Sequence, residues 1–462
     1  MVERLVVIGG DAAGMAAASQ ARRRRKPADL DIVAIERGNY TSYSACGIPY
    51  WIGGEVDGPD ALVARTPEVF ERDYAIRVRM QTEATGLDLD RGEVLLRTPE
   101  GSEERLAYDT LVIATGAVPV RLNIPGADAR GIFGVQTLGD GVAVRAAVQA
   151  GAQRAVVIGG GYIGVEMAEA MVRRKIDVTL VEAAPEPMAT LDPDMGRMVR
   201  EAMTDMGITV RSGQEVVAFD SSDGAVTGVQ TRRGTVPADL VVLGIGVRPN
   251  TTLARNAGLP LGVAGAIRVD VRGRVLGTEN IWAAGDCVES FDLVSRRPVH
   301  IPLGTHANKQ GRVVGINLGG GYATFPGVVR TAVSKVCSLE IARTGLLERD
   351  ATAAGYRYLT AKVKSTTRAG YFPGAQPIIT KLIAEKRTGR LLGAQIVGNE
   401  GAAKRIDALA VALWNGMSVE EMTGLDLSYA PPFAPVWDPV LIAARKAAEA
   451  VEADVVADPS GD

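Results

Sequence analysis

Short runs of aliphatic and β-branched residues, each stopped by glycine and followed by apolar positions at helical spacing, recur through the first half of the chain. Leu5 to Ile8 is such a run; Gly9-Gly10-Asp11-Ala12-Ala13-Gly14 follows it, then an alanine-rich stretch, then Ile32 to Ile35 ending in Glu36. The order predicts strand, tight turn, helix, strand. It returns 150 residues later as Ala155 to Ile158, Gly159-Gly160-Gly161-Tyr162-Ile163-Gly164, a helix through Lys175, and Val178 to Val181 ending in Glu182. Two copies make duplicated domains, not a solenoid array. The apolar runs Thr110 to Gly116 and Leu240 to Val247 read as buried parallel strands that each close a sheet.

From Gly327 onward the pattern changes to an α+β module without a phosphate loop. Strands are expected over Tyr356 to Val363 and over Ile378 to Val397, the latter broken by the turn Lys386-Arg387-Thr388-Gly389. Helices are expected from Ala402 to Trp414 and from Val440 to Ala450. The acidic stretch after Val451, with Pro459 and Gly461, is expected to be a frayed tail.

A length of 462 residues fits about three domains. The 54 glycines against 7 phenylalanines, with 47% hydrophobic residues, fit a globular chain rich in tight turns. With 51 Lys plus Arg against 54 Asp plus Glu, the net charge of -3 provides no field for nucleic acid or an anionic membrane, so the partners are expected to be small molecules. Three cysteines, Cys46, Cys287 and Cys337, are too few and too scattered for a disulfide framework, and two histidines build no zinc spacing. No metal is expected, and a reducing cytoplasm is the expected compartment. The first strand begins too early for a secretory leader, and no run of about 20 apolar residues is present.

A glycine-rich strand-to-helix turn lets backbone N–H groups approach a pyrophosphate, and a carboxylate at the next strand end grips the ribose diol. Glu36 and Glu182 stand at those ends. Either loop alone reads equally as a packing turn, and either acid as an ordinary strand-end glutamate; the pair of complete patterns favours two dinucleotides. Asp11 occupies the place of the middle glycine in the first loop. Beside Glu182, residues 183–190 hold no Lys or Arg to accept a 2′-phosphate, which favours NADH over NADPH.

With both loops, Ala114-Thr115-Gly116 and Ala283-Ala284-Gly285-Asp286, the chain resembles the pyridine nucleotide-disulfide oxidoreductase family over nearly its whole length. The resemblance implies an α/β protein with two Rossmann-like dinucleotide-binding domains plus a C-terminal α+β dimerisation domain. It implies an FAD-binding domain at 1–116 and 248–322, an NAD(H)-binding domain at 117–247, a dimerisation domain at 323–450, a flexible tail at 451–462, and a homodimer. It assigns FAD to Gly9, Gly10, Asp11, Ala12, Ala13, Gly14, Glu36, Arg37, Thr115, Gly116, Asp286 and Thr305. It assigns NADH to Gly159, Gly161, Tyr162, Ile163, Gly164, Glu182 and Gly246. Asp286 also reads as a helix cap, Tyr162 as core packing, and His306, beside Thr305, as structural.

No Cys-x4-Cys pair is present, and both histidines precede residue 322, so glutathione-type dithiol chemistry is excluded. The segment Ser42 to Tyr50, with Cys46-Gly47-Ile48-Pro49-Tyr50, resembles the single-cysteine branch: coenzyme A disulfide reductases, persulfide reductases, and NADH oxidases or peroxidases. Pro49 suits the first turn of a helix whose N-terminus lowers a thiol pKa, so Cys46 is expected to be a thiolate at neutral pH. Cys287 and Cys337 read as inert. Tyr371 and Tyr429, in aromatic-proline segments similar to those of coenzyme A disulfide reductases, are expected either to serve the partner subunit's cysteine or to pack a dimer interface. The resemblance points Gln20, Arg23 and Ser42 toward a coenzyme A entrance, although Ala45 stands where some members carry asparagine. The run Arg22 to Arg25 with Lys26 also reads as a solvated helix face. The implied function is NADH-linked, FAD-dependent reduction of a coenzyme A disulfide, persulfide or related small disulfide. Its rivals are an NADH oxidase or peroxidase cycling Cys46 through sulfenic acid, and a flavin-bearing electron-transfer or signalling subunit.

Overall fold

The computed structural model describes residues 2–457. The first apolar runs build one parallel sheet in the order Ile281–Ala283, Thr110–Ile113, Glu3–Ile8, Leu30–Ile35, Ile76–Arg79. Its central strands are buried almost throughout, which is why they read as continuous aliphatic runs rather than alternations. The edge strand Ile281–Ala283 comes from far along the chain. The helix Ala12–Arg22 covers one face and packs on the helix Gly304–Leu318. That approach requires glycine: a Cβ on Gly311 would stand 2.2 Å from the Ala13 carbonyl oxygen.

A second parallel sheet runs Thr209–Ser212, Asp177–Glu182, Arg154–Ile158, Leu240–Leu243, Ile132–Gly134. Its phosphate-loop helix spans Tyr162–Arg173, ending short of the expected Lys175, which sits at φ 62°. The run expected to continue to Val247 stops at Leu243; Val247–Pro249 then pairs antiparallel with Ala117–Pro119, a two-stranded ribbon between the two parallel sheets.

Each parallel sheet carries a three-stranded antiparallel meander that the hydrophobic pattern did not announce, at 83–107 and 216–237. The last module is a five-stranded antiparallel sheet in the order Ala332–Val336, Leu339–Gly345, Leu391–Gly398, Pro377–Glu385, Tyr358–Thr366. The first two strands and the helix Glu348–Ala354 were not foreseen. The helix Pro439–Ala457 lies against Tyr358–Thr366 and buries Val440, Leu441, Ala443, Ala444 and Ala447. The tail expected from Val451 is therefore helical to Ala457, tied by Lys386 to Asp454 at 2.6 Å; the rest of it lies outside the described residues. Among the described residues no helix is long and apolar enough to cross a membrane.

Candidate active site

The two glycine loops have the same construction. Gly9 and Gly159 turn at φ 118° and 94°, and a Cβ on either would strike the backbone of the neighbouring strand end, 2.1 Å from Ala114 O and 2.6 Å from Gly244 O. Glu36 accepts from Gly10 N at 2.9 Å and Gly38 N at 2.6 Å. Glu182 accepts from Gly160 N at 2.5 Å and Ala184 N at 2.6 Å. Each carboxylate is thereby fixed at the strand end beside its loop. No side chain caps the helix that follows either loop in good geometry, which leaves first-turn N–H groups for phosphate oxygens, with Asp11 acting on the Ala12 amide in the first unit. These uncapped amides and the fixed acids fit two dinucleotides.

At the middle position, Gly161 has φ -75°, and a Cβ there would meet only Gly244 O at 3.8 Å. The protein itself has room for a side chain, which explains why Asp11 is tolerated at the corresponding place. Asp11 turns away toward the segment 41–46, accepting from Tyr43 N at 3.3 Å. Burial pushes its carboxyl up to about 6, against the Tyr43 hydrogen bond and with help from Glu36. The bonds Ser42 N to Gly10 O at 3.0 Å and Thr41 Oγ1 to Gly10 O also stitch this segment to the first loop. Ser42 holds φ 49°.

Thr115 Oγ1 donates to Asn250 O at 2.6 Å, and Asn250 N returns to Gly116 O at 2.9 Å, which latches the Ala114-Thr115-Gly116 turn to the ribbon that begins beyond Gly246. Burial raises Asp286, and its backbone oxygen lies 2.8 Å from His300 Nε2. Thr305 opens the helix Gly304–Leu318 on its exposed side, while the buried His306 leans on Phe325 and reaches Ile301 O at 3.4 Å, in keeping with its structural reading. Arg37 is exposed and lines an open surface cavity with Asn39, Gln81 and Arg97.

Cys46 sits in the short turn Ala45–Gly47, directly before the helix Ile48–Gly53 with Pro49 in its first turn. It is exposed, whereas Cys287 is buried against Ile113 O and Ala284 O, and Cys337 Sγ lies 3.0 Å from Met206 Sδ. The expected low thiol pKa is not what the protein provides. Although the residue keeps an open face to solvent, crowding of the sulfur by its neighbours, then the carboxyls of Glu166 and Asp286, push the Cys46 thiol up. The helix beyond it has only six residues, and the crowding of the sulfur together with acids brought in from distant segments sets the direction instead. Glu166 is itself pushed up to about 7 by burial, against the hydrogen bond from Ser334 Oγ at 2.8 Å. Its place one turn after Tyr162 on the phosphate-loop helix was the available signal, yet a helical glutamate ordinarily reads as solvated.

Tyr371 and Tyr429 come together although they are 58 residues apart in sequence. Tyr429 is held above the usual phenol range first by hydrogen bonding with Tyr371. Their segments are joined by Ala369 N to Pro431 O at 3.1 Å and clamped by Arg405, whose Nη2 donates to Thr367 O and Phe433 O while its Nε pairs with Asp438 at 2.9 Å. Tyr371 is 78% exposed, and among the described residues no hydrogen bond joins either tyrosine to Cys46 within the chain. The basic run is divided. Arg22 is spent on Tyr74 O and Leu30 O, Arg25 on Glu3, and Arg24 lies along Gly319 and Gly321, leaving Arg23 and Lys26 outward. Gln20 is packed against Gly315. Tyr162 has its hydroxyl enclosed without a hydrogen-bond partner among the described residues, and burial raises it against the pull of Arg343.

The family model described as pyridine nucleotide-disulphide oxidoreductase matches residues 3–311, and the corresponding dimerisation domain matches residues 331–439. The chain belongs to this family. A pyridine nucleotide-disulphide oxidoreductase is a flavoenzyme, and FAD and a nicotinamide dinucleotide are its cofactors. Among similar proteins, an NAD(P)H coenzyme A polysulfide/persulfide reductase of Pyrococcus horikoshii is 37% identical over 96% of this chain and 98% of its own. An NADH oxidase of Methanocaldococcus jannaschii is 36% identical, over 96% and 98%. The solved structure of an NAD-dependent persulfide reductase from A. fulgidus superposes with TM-score 0.94 at 41% identity, covering 97% of this chain and 84% of that one. In this oxidoreductase the carboxyls of Glu166, Asp286 and Asp11, from three separate elements, all act on the exposed Cys46.

Proposed function

We propose that this oxidoreductase uses NADH to reduce coenzyme A disulfide, a coenzyme A persulfide or a closely related small disulfide through Cys46. The observation that supports the reading is the stitching of the segment bearing the exposed Cys46 to the first glycine loop through Thr41, Ser42 and Tyr43, with all three cysteines of the chain free. The Cys46 thiol gives up its proton as it attacks one substrate sulfur; the new S–S bond forms as the old one breaks, and the departing thiolate takes a proton. When bound, FAD supplies the two electrons, drawn from NADH, that reopen the bond between Cys46 and substrate. Tyr371 and Tyr429 donate that proton across a homodimer, each pair serving the cysteine of the other copy. Gln20, Arg23 and Ser42 line the entrance for the substrate's phosphates, with Arg23 offering its exposed guanidinium. The domain division runs 1–116 with 248–322 for FAD, 117–247 for NADH and 323–450 for dimerisation, and the enzyme works in a reducing cytoplasm.

Steady-state NADH oxidation against coenzyme A disulfide, coenzyme A persulfide, other small disulfides, peroxide and oxygen tests the proposal. The expected ranking has a coenzyme A derivative first. Peroxide or oxygen as the best acceptor would move the assignment to a sulfenic acid cycle, the reading favoured by similarity to an NADH oxidase. Failure with every small acceptor would leave electron transfer to a protein partner.

A further inference from the structure

Four polar side chains stand in direct register across the C-terminal sheet: Arg343 opposite Gln395, Gln395 opposite Lys381, Lys381 opposite Lys362. Directly opposed residues share a face, and this face meets the second nucleotide unit. Gln395 grips Asp192 from both ends, its Oε1 accepting from Asp192 N at 2.7 Å and its Nε2 donating to Asp192 Oδ2 at 2.6 Å. Lys381 reaches Asp192 at 3.0 Å, Asp194 at 2.8 Å and Glu348 at 2.5 Å. Lys362 takes Asp194 at 2.8 Å, and Glu348 N donates to Asp192 Oδ1 at 3.1 Å. Arg343, bonded to Gly345 O, acts on Tyr162 at the start of the phosphate-loop helix.

Asp192 ends the stretch that leaves Glu182 and passes over the glycine loop. Within it Met188, at φ 54°, donates to Gly160 O at 2.6 Å, and a Cβ on Gly160 would stand 2.9 Å from Pro187. Arg349 Nη2 holds Ala189 O at 2.6 Å. Residues 183–192 are thus fastened to the phosphate loop in the middle and to the C-terminal sheet at the end. Lys381, Gln395 and Asp192 are all buried. Withdrawing such groups from water is costly, and apolar residues would hold two surfaces together at least as firmly. A polar row fixes one geometry.

We propose that this cross-strand row positions the 183–192 segment as a wall of the nicotinamide dinucleotide site, making Lys381 and Gln395 positioning residues that act on NADH through Asp192. The inference rests on the loop Gly159–Gly164 holding that cofactor. Lys381→Met and, more gently, Gln395→Leu, which leaves the ion cluster intact, test it in the FAD-loaded enzyme. The expected result is a dissociation constant for NAD+ about tenfold higher by calorimetry, with faster amide exchange over 186–192. KM for NADH should rise while kcat and FAD content stay within about twofold of the parent. Folded, FAD-loaded variants with parental NAD+ affinity would overturn the proposal, even with faster exchange. A parent enzyme that binds FAD but no NAD+ would overturn the assignment of the second loop, and this inference with it.

Discussion

The two nucleotide units share one plan, and their loops part most tellingly at one of the fingerprint glycines. Both fix a strand-end glutamate on their own backbone amides, and both need glycine at the first position because a neighbouring strand end leaves no space. The middle position is different. There the fold tolerates a side chain, the second unit keeps Gly161, and the first carries Asp11, which turns to hold the segment bearing the sulfur. The fingerprint thus mixes positions demanded by the polypeptide with positions left open to ligand or neighbouring segment. Only the first loop has the Cys46 segment stitched to it.

Removing that sulfur should separate the units most sharply. Cys46→Ser is expected to keep FAD and to accept hydride from NADH in anaerobic stopped-flow, while disulfide turnover falls more than about a thousandfold. Mixing it with Tyr371→Phe/Tyr429→Phe chains should restore turnover in verified heterodimers, and no recovery would break the shared-site proposal. Next in size, Gly9→Ala drives a Cβ into Ala114 O at 2.1 Å in a left-handed backbone, and should lose FAD and soluble yield. Gly161→Ala, whose Cβ meets nothing closer than 3.8 Å, should fold normally and lose only affinity for NAD+. Equal thermal stability of the two variants would end the distinction between fold-required and ligand-required glycines.

A smaller effect is expected in cofactor choice. Glu182 beside a 2′-phosphate places like charges together, at a cost of about 1 to 3 kcal/mol, or roughly 5- to 150-fold in kcat/KM for NADH over NADPH. Equal values for the two cofactors would remove this role from Glu182. Of similar size, but confined to the cofactor-free protein, is the effect of the charge on Asp11. Its folded pKa of about 6 lies above the ordinary 3.8, so the fold prefers the protonated form and loses stability as pH rises from about 4 to 6. Asp11→Asn should stabilise the cofactor-free protein by about 1 to 3 kcal/mol at pH 8 and by almost nothing at pH 4. A gain independent of pH would show that packing, not ionisation, is the cause.

Glycine spacing and aliphatic runs made the two parallel sheets legible, because a strand buried on both faces writes itself as an unbroken apolar word. The meanders at 83–107 and 216–237 were not, since half-exposed short strands of mixed composition look like loops. Cys46 was legible as the redox candidate, but its electrostatics were not. The rule that a helix start acidifies a thiol is local, whereas Asp11, Glu166 and Asp286 reach it from three separate elements. The division of the basic run after Gln20 was illegible for the same reason: Tyr74 and Glu3, which engage Arg22 and Arg25, are remote in sequence, while Arg23 and Lys26 stay exposed.

The late strand Ile281–Ala283 has a consequence for synthesis. The second sheet draws all its strands from 132–243, so it can close while the chain is still growing. The first sheet has to wait for 168 residues after Ile113 before its last strand arrives, roughly ten to thirty seconds at ordinary translation rates. Throughout that interval Thr110–Ile113 is an apolar edge without its partner. Nascent chains halted just beyond residue 243 should resist protease over the second unit and not over residues 3–113, and equal resistance would contradict this order. On the ribosome, the cofactor pocket begun first is the one finished last.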